Sequence, residues 1–158
     1  MKRYRVVPVL LAFLLWLPTS GDAAAAEPAG PDPALTPGDV VAIQLDALQN
    51  NDDPQPNAGI ARTFAFAHPD NKRVTGPLPR FERMIRSPAY RALIDHAAHQ
   101  IERVEEGDDF VRFKVVVETP NGRALTYLWE VRRVGEGSHE GSWLTTNVSA
   151  PADAGRAL

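Results

Sequence analysis

The sequence has no cysteine among its 158 residues. This absence excludes disulfide bonds, metal sites built from thiolates and a lipid-modified N-terminal cysteine. A chain without these covalent or metal links must be held together by its hydrophobic core alone. We therefore expect the fold to depend on a continuous apolar interior.

Motifs that would reveal a chemistry are also missing. There is no glycine-rich phosphate loop and no nucleophile elbow. Histidine occurs only 4 times, and His96 and His99, although three residues apart, have no obvious third ligand. We therefore predict no metal site, no cofactor and no catalytic residue. The net charge of −3 does not indicate nucleic-acid binding.

The N-terminus has the pattern of a targeting segment. Lys2 and Arg3 precede an apolar run of 12 residues, Val6 to Leu17, and the small residues Ala23 to Ala26 follow it. Such a run is shorter than the ~20 residues that a membrane-spanning helix needs. We predict a cleavable signal peptide at residues 1–26, a periplasmic or secreted location and no stable membrane anchor after cleavage. The alternative is an uncleaved anchor.

Composition divides the rest of the chain. Residues 27–34 and 149–158 are rich in proline and small residues, so we predict a disordered linker and a disordered tail. The sequence between them, residues 35–148, is long enough to bury one core and is predicted to be a single domain.

The first half of this domain has helical patterns. Thr36 as N-cap, Pro37 in the first turn and Asp39 three residues after the cap predict a helix that ends near Asn50. Its apolar face has a polar residue, Gln44, at the centre.

Two further helices are predicted. The second runs from 58 to about 67 with Asn57 as its cap, and the third begins near 77–79. The polar segment between them, residues 68–76, is predicted to be a loop because it is rich in turn-forming residues. Three helices therefore result.

The second half has a period of two, which is typical of strands. Four strands are predicted, at residues 99–105, 109–119, 123–134 and 142–148.

The turn between the second and third strands decides their register. An Asn-Gly dipeptide alone would favour a two-residue hairpin, whereas a three-residue loop with left-handed Gly122 shifts the pairing by one residue. This second register pairs Phe113 with Trp129 and Arg112 with Glu130. It gives one apolar face and a cross-strand ion pair, so we predict it.

The order of elements indicates an α+β fold. We predict three helices packed on a curved, mainly antiparallel four-stranded sheet, in a cone-like arrangement.

Three segments carry a family resemblance: LTPGDVVAIQLDALQNND, GIARTFAFAHPDNKRVTGPLPRFERMIRSPAYRALI and LTYLWEV. The chain resembles an uncharacterised bacterial family of domains of unknown function, which is similar to the α+β cone fold of ketosteroid isomerase and nuclear transport factor 2. That fold usually has a small β-hairpin between helices two and three, but residues 67–77 leave room for one short strand at most. The resemblance implies no known reaction.

A cone of this kind has a hollow between the first helix and the sheet. Four residues are predicted to line a pocket there: Gln44, Phe113, Tyr127 and Trp129. In the alternative interpretation, Gln44 is hydrogen-bonded to protein groups and locks the helix to the sheet. Four residues of the polar loop are predicted to form the rim or gate of the hollow: Asn71, Lys72, Arg73 and Thr75.

The predicted function is that of a non-catalytic exported module, which binds a small apolar or amphipathic ligand or a protein partner in the hollow. The alternative is a small enzyme of the ketosteroid-isomerase type that uses the same hollow for proton transfer. It would need an inward-facing acid with a raised pKa.

Two surfaces invite further hypotheses. The cationic run at residues 72–91 could bind an anion, although a solvated helix face explains it as well. A homodimer could form through Phe110, Val116 and Leu128 on the outer face of the sheet.

Overall fold

The computed structural model describes residues 30–156, so the predicted signal peptide and the beginning of the predicted linker lie outside the described residues. Within that range the fold is α+β. It consists of four α-helices, a 3₁₀ turn at Arg91–Leu93 and five strands. The helices are α1 (Pro37–Gln49), α2 (Ala58–Ala65), α3 (Pro69–Thr75) and α4 (Leu78–Ile85). The strands are β1 (Ala98–Glu106), β2 (Phe110–Glu118), β3 (Arg123–Arg133), β4 (Trp143–Val148) and β5 (Ala152–Arg156).

Helix α1 begins at the predicted capping box. The Thr36 hydroxyl accepts a hydrogen bond from the backbone N–H of Asp39, and the Asp39 carboxylate accepts one from the backbone N–H of Thr36 at 2.8 Å. Hydrogen bonds from the side chain and backbone of Thr36 lower the pKa of Asp39. The predicted start of this helix is confirmed, and Gln44 is buried on its inner face.

Helix α2 is present, but Asn57 does not cap it through its side chain. Asn57 has a left-handed backbone (φ +65°) and no side-chain cap bond, and its side-chain oxygen instead accepts a hydrogen bond from Arg86. The helix packs closely on α1, since a Cβ on Gly59 would lie 1.9 Å from the carbonyl oxygen of Ala47. Glycine is required there because only it allows such an approach.

The predicted polar loop is partly wrong, because Pro69–Thr75 forms α3. Pro69 suits the first helical position, and the Nδ1 of His68 accepts a hydrogen bond from the backbone N–H of Asp70 at 3.2 Å. A helix of 7 residues is too short for a clear hydrophobic period. The described chain therefore has four α-helices where the sequence predicts three.

The central hairpin has the predicted register. Phe113 pairs with Trp129 and Arg112 pairs with Glu130, with the Arg112 Nε donating to the Glu130 carboxylate at 2.8 Å. Gly122 has φ +77°, the left-handed conformation that the three-residue loop requires. The three-residue loop and the alternation it sets are confirmed.

The sheet has one strand more than predicted. Its order is β1-β2-β3-β4, while β5 pairs with the N-terminal half of β3. Strand β5 lies in the segment predicted as a disordered tail, whose composition gives no strand pattern. Backbone pairing holds it, together with an ion pair of 3.2 Å between Arg123 and Asp153.

The core lies between α1 and one face of the sheet, where α1 contacts β1, β3 and β4. Alternate residues of β2 and β3 are buried on this inner face: Val111, Phe113, Val115, Val117, Leu125, Tyr127, Trp129 and Val131. This alternation follows from the period of two in a strand that has one buried face.

Replacing Gly122 by valine tests the turn. A Cβ at this position meets no atom within 4 Å, so any destabilisation comes from the left-handed backbone. We expect Gly122→Val to lower the free energy of unfolding by more than ~1 kcal/mol, measured by urea denaturation.

Gly135→Val is the matched control, because a Cβ there also meets open space and the backbone is not left-handed. Equal free energies of unfolding for the two variants would contradict the left-handed turn.

Candidate ligand-binding site

A pocket of about 330 Å³ lies between α3, α4 and β4. Its walls are largely apolar and are formed by Val74, Phe81, Met84, Ile85, Leu93 and Val148. The inner end is made of buried residues, and the mouth is made of exposed ones such as Asp70, Val74 and Asn147. The pocket therefore leads from solvent to the core beside Trp129.

Four buried side chains form the inner end, which we call the floor network: Gln44, Thr63, Trp129 and Thr145. The Nε2 of Gln44 donates to the backbone carbonyl of Thr63 at 3.0 Å. The Thr145 hydroxyl donates to the Oε1 of Gln44 at 2.6 Å and accepts from the Trp129 Nε1 at 3.0 Å. The network links α1, α2, β3 and β4.

The orientation of the Gln44 amide follows from its partners. The Thr63 carbonyl can only accept, so it faces the NH₂ group. The Thr145 hydroxyl already accepts from the Trp129 N–H, so its own hydrogen points to the Gln44 oxygen. Both sides of the amide are therefore assigned consistently.

The mouth is tied to β4 by side-chain hydrogen bonds. The Asn71 Nδ2 on α3 donates to the carbonyl of Thr146 at 3.0 Å, and the Asn71 oxygen accepts from the Thr75 hydroxyl at 2.8 Å. On the other side, the Tyr90 hydroxyl donates to the carbonyl of Val148 at 3.1 Å. These bonds hold α3 and the segment after α4 on opposite sides of the opening.

Two of the four predicted pocket residues line this pocket. Gln44 and Trp129 form part of its inner end, whereas Phe113 and Tyr127 are buried in the core beside it. The Tyr127 hydroxyl donates to the carbonyl of Ala89 at 3.3 Å. Burial, helped by the nearby Tyr90, raises the pKa of Tyr127 to about 12, as expected for a phenol that stays protonated.

The predicted rim residues divide in the same way. Asn71 and Thr75 line the pocket, while Lys72 and Arg73 do not. The Lys72 ammonium donates to the carbonyl of Ala65 at 2.9 Å, and burial lowers its pKa. Arg73 pairs with Asp70 on the exposed side of α3.

Sequence reasoning missed the threonines of the floor. No local sequence pattern distinguishes Thr63 on the second helix or Thr145 on the fourth strand. Their alignment with Gln44 depends on how α2 and β4 meet α1, which no local pattern encodes. A buried amide on an apolar helix face was the available signal, because such an amide needs partners from other elements.

One carboxylate in the pocket lining is a candidate for acid-base chemistry. Among the described residues that line the pocket, Asp70 is the only carboxylate. It lies at the mouth, on an exposed part of α3, and pairs with Arg73. It therefore does not occupy the inward position beside Gln44 that proton transfer would need.

A second polar cluster lies outside the pocket, where the 3₁₀ turn meets β1. The Nδ1 of His96 lies 2.8 Å from the carbonyl oxygen of Leu93, and its Nε2 lies 2.8 Å from the Nδ1 of His99. Since the carbonyl only accepts, the His96 Nδ1 carries the hydrogen, and in the neutral form of His96 the Nε2 accepts from His99. The outer nitrogen of His99 lies 3.7 Å from the Asp46 carboxylate.

The environment of His96 favours its neutral form. Burial lowers its pKa, His99 lowers it further, and the Leu93 carbonyl and the nearby Asp46 and Asp95 oppose the shift. Within residues 30–156, no group of three or more acidic or histidine side chains is placed to hold a metal ion.

The outer face of the sheet is more polar than the dimer hypothesis assumes. Phe110 lies between the guanidinium groups of Arg112 and Arg132, 5.1 and 5.4 Å from its ring centre. Burial raises the pKa of Glu130, but hydrogen bonds from Arg112, Arg132 and Thr146 outweigh it and lower the pKa. Homodimerisation through this face stays a prediction.

The fold and pocket define a class of protein, a small α+β domain with a largely apolar pocket at the edge of its sheet. A family model described as "Domain of unknown function (DUF4864)" matches residues 34–153. The chain belongs to this family. Neither a curated protein nor a solved structure matches the chain significantly. None of the helices in the described range is long and apolar enough to cross a membrane.

The buried histidine predicts a loss of stability in mild acid. The pKa of His96 is below its ordinary 6.5 in the folded state, so the unfolded chain binds the proton first. Its contribution to stability is complete above pH 6.5 and is lost as the pH falls below that value. Burial lowers the pKa of His68 too, so both histidines act in the same direction.

We expect the free energy of unfolding, measured in urea, to fall between pH 7.5 and 5.5, with a slope of at most about 1.4 kcal/mol per pH unit for each group. His96→Gln should make the slope shallower. A wild-type stability that is independent of pH in this interval would show that His96 titrates normally.

Proposed function

We propose that this protein binds a small apolar or amphipathic molecule in the pocket between α3, α4 and β4, and that it does so after export from the cytoplasm. The observation that carries the proposal is the pocket itself, which has apolar walls and a few polar groups at its inner end. Binding pockets for small molecules have this composition.

The volume of the pocket limits the size of the ligand. The pocket holds about 330 Å³, and an apolar cavity of about 150 Å³ is large enough for benzene. A body roughly twice the size of benzene therefore fits. The flexible thioether of Met84 in the wall can adapt to ligands of different shape.

The hydrogen bonds around the pocket support an apolar ligand. The side chains of Asn71, Thr75 and Tyr90 donate to protein oxygens at the mouth. Each of these donor groups already has a protein acceptor, so the burial of apolar surface supplies most of the affinity.

The exposed Val74 also supports the proposal. This residue lines the pocket on α3 and is 68% exposed. A large apolar side chain at the mouth provides a surface that an entering apolar molecule can cover.

The proposed relationship to ketosteroid isomerase and nuclear transport factor 2 rests on helices that cover one face of a mainly antiparallel sheet. The segment between α2 and α4 differs, since it contains α3 and a single bridge between Ala67 and Thr145. Proton-transfer catalysis would have to use Asp70, the one carboxylate among the described lining residues. Ligand binding without catalysis is therefore the better-supported function.

Native mass spectrometry of the protein purified from its host tests the proposal. We expect a reproducible additional mass of a small molecule on the folded chain. Met84→Trp should remove this mass, because the larger side chain fills the pocket from α4.

Leu128→Trp is the matched control, since Leu128 is an apolar residue on the outer face and is 48% exposed. This variant should retain the additional mass. A bare protein mass from the host, or a mass that Met84→Trp retains, would contradict ligand binding in this pocket.

A further inference from the structure

The floor network has hydrogen-bonding capacity that the protein does not use. A glutamine NH₂ group carries two hydrogens. Within the described part of the chain, the Gln44 Nε2 has one acceptor, the Thr63 carbonyl at 3.0 Å. One amide hydrogen of a side chain that is 1% exposed and lines the pocket is thus left without a protein partner.

This hydrogen is placed to be a good donor. The Trp129 N–H donates to the Thr145 hydroxyl, which in turn donates to the Gln44 oxygen. Hydrogen bonds in such a chain polarise one another, so electron density is drawn toward the Gln44 oxygen and away from its N–H groups. The chain ends at the inner end of the pocket.

The surroundings of this amide hydrogen are buried and largely apolar. The floor residues Gln44, Thr63, Trp129 and Thr145 are all buried, and Phe81, Ile85 and Leu93 form the apolar wall beside them. A buried polar group without a partner is unfavourable, so an acceptor brought in by a ligand would relieve it.

We infer that the ligand is an apolar body of one or two rings with a single carbonyl or hydroxyl oxygen at its inner end, which accepts a hydrogen bond from Gln44. This inference rests on the proposed function and names the ligand class for the same pocket. The apolar body lies against the walls formed by α4 and β4. The oxygen gives the ligand one orientation, with its opposite end at Asp70 and Asn147.

A pair of ligands that differ in one oxygen tests this assignment. The probes are 1-tetralone and tetralin, which have the same two-ring frame with and without a carbonyl. Titration of the wild-type protein is followed by the fluorescence of its tryptophans. We expect 1-tetralone to bind about fivefold more tightly, as one net hydrogen bond supplies.

Without a donor at the floor the order would reverse, because burial of an unpaired carbonyl is unfavourable. Tetralin that binds as tightly as 1-tetralone, or more tightly, would overturn the inference and leave the proposed function standing. Failure of both probes to bind would overturn the inference and the proposed function together.

Two variants assign the preference to the amide. Gln44→Met should abolish the preference for 1-tetralone, because methionine keeps the length of the side chain and removes the donor. Gln49→Met is the same substitution on the same helix, at a residue that does not line the pocket, and should keep the preference. Loss of the preference in both variants, or in neither, would overturn the inference.

A measurement on the wild-type protein covers the case in which Gln44→Met does not fold. In a ¹H–¹⁵N spectrum, one of the two side-chain amide hydrogens of Gln44 should shift downfield with 1-tetralone and not with tetralin. Identical spectra of this NH₂ group with the two probes would contradict the proposed hydrogen bond.

Discussion

The buried Gln44 amide is the interaction on which the arrangement around the pocket depends. It lies on α1, binds the Thr63 carbonyl on α2 and accepts from Thr145 on β4. A buried amide that loses its partners costs about 1–3 kcal/mol for each unsatisfied group. The three elements are therefore held in one relative position, and Trp129 joins them through Thr145.

The position of the pocket follows from these hydrogen bonds between α1, α2 and β4. Helix α1 covers the centre of the inner face, where Phe113 and Tyr127 fill the space under it. At β4 both α1 and the shorter helix α3 contact the strand, and the pocket lies between α3, α4 and this strand. Open space therefore remains next to Trp129 and not over the middle of the sheet. The polar floor network closes the inner end of that space, so the pocket combines apolar walls with one oriented amide.

Sequence patterns predicted the elements whose signals are local or pairwise. The cap at Thr36 and Asp39 is a short-range arrangement, and the register of β2 and β3 follows from alternation on two strands that one turn connects. The sequence motifs also predicted membership of an uncharacterised domain family. A family model that matches residues 34–153 confirms this prediction.

The features that could not be predicted depend on contacts between distant segments. Strand β5 exists because its backbone pairs with β3, and its amino-acid sequence has no strand period. Helix α3 is shorter than the span over which a helical period is visible. The same limit applies to the site, since the partners of Gln44 lie 19 and 101 residues away along the chain. The central position of Gln44 on an apolar helix face predicted only that its amide must have hydrogen-bond partners.

The most direct test of the central claim is a double-mutant cycle in urea unfolding with Gln44→Leu and Thr145→Val. We expect the two changes to be coupled by about 1 kcal/mol or more, since both remove the same hydrogen bond. The pair Gln44→Leu and Thr126→Val provides the control, because Thr126 lies on the same sheet outside the network and its effect should add within about 0.5 kcal/mol. Additive effects of Gln44→Leu and Thr145→Val would contradict the account, because the amide would then not join α1 to β4.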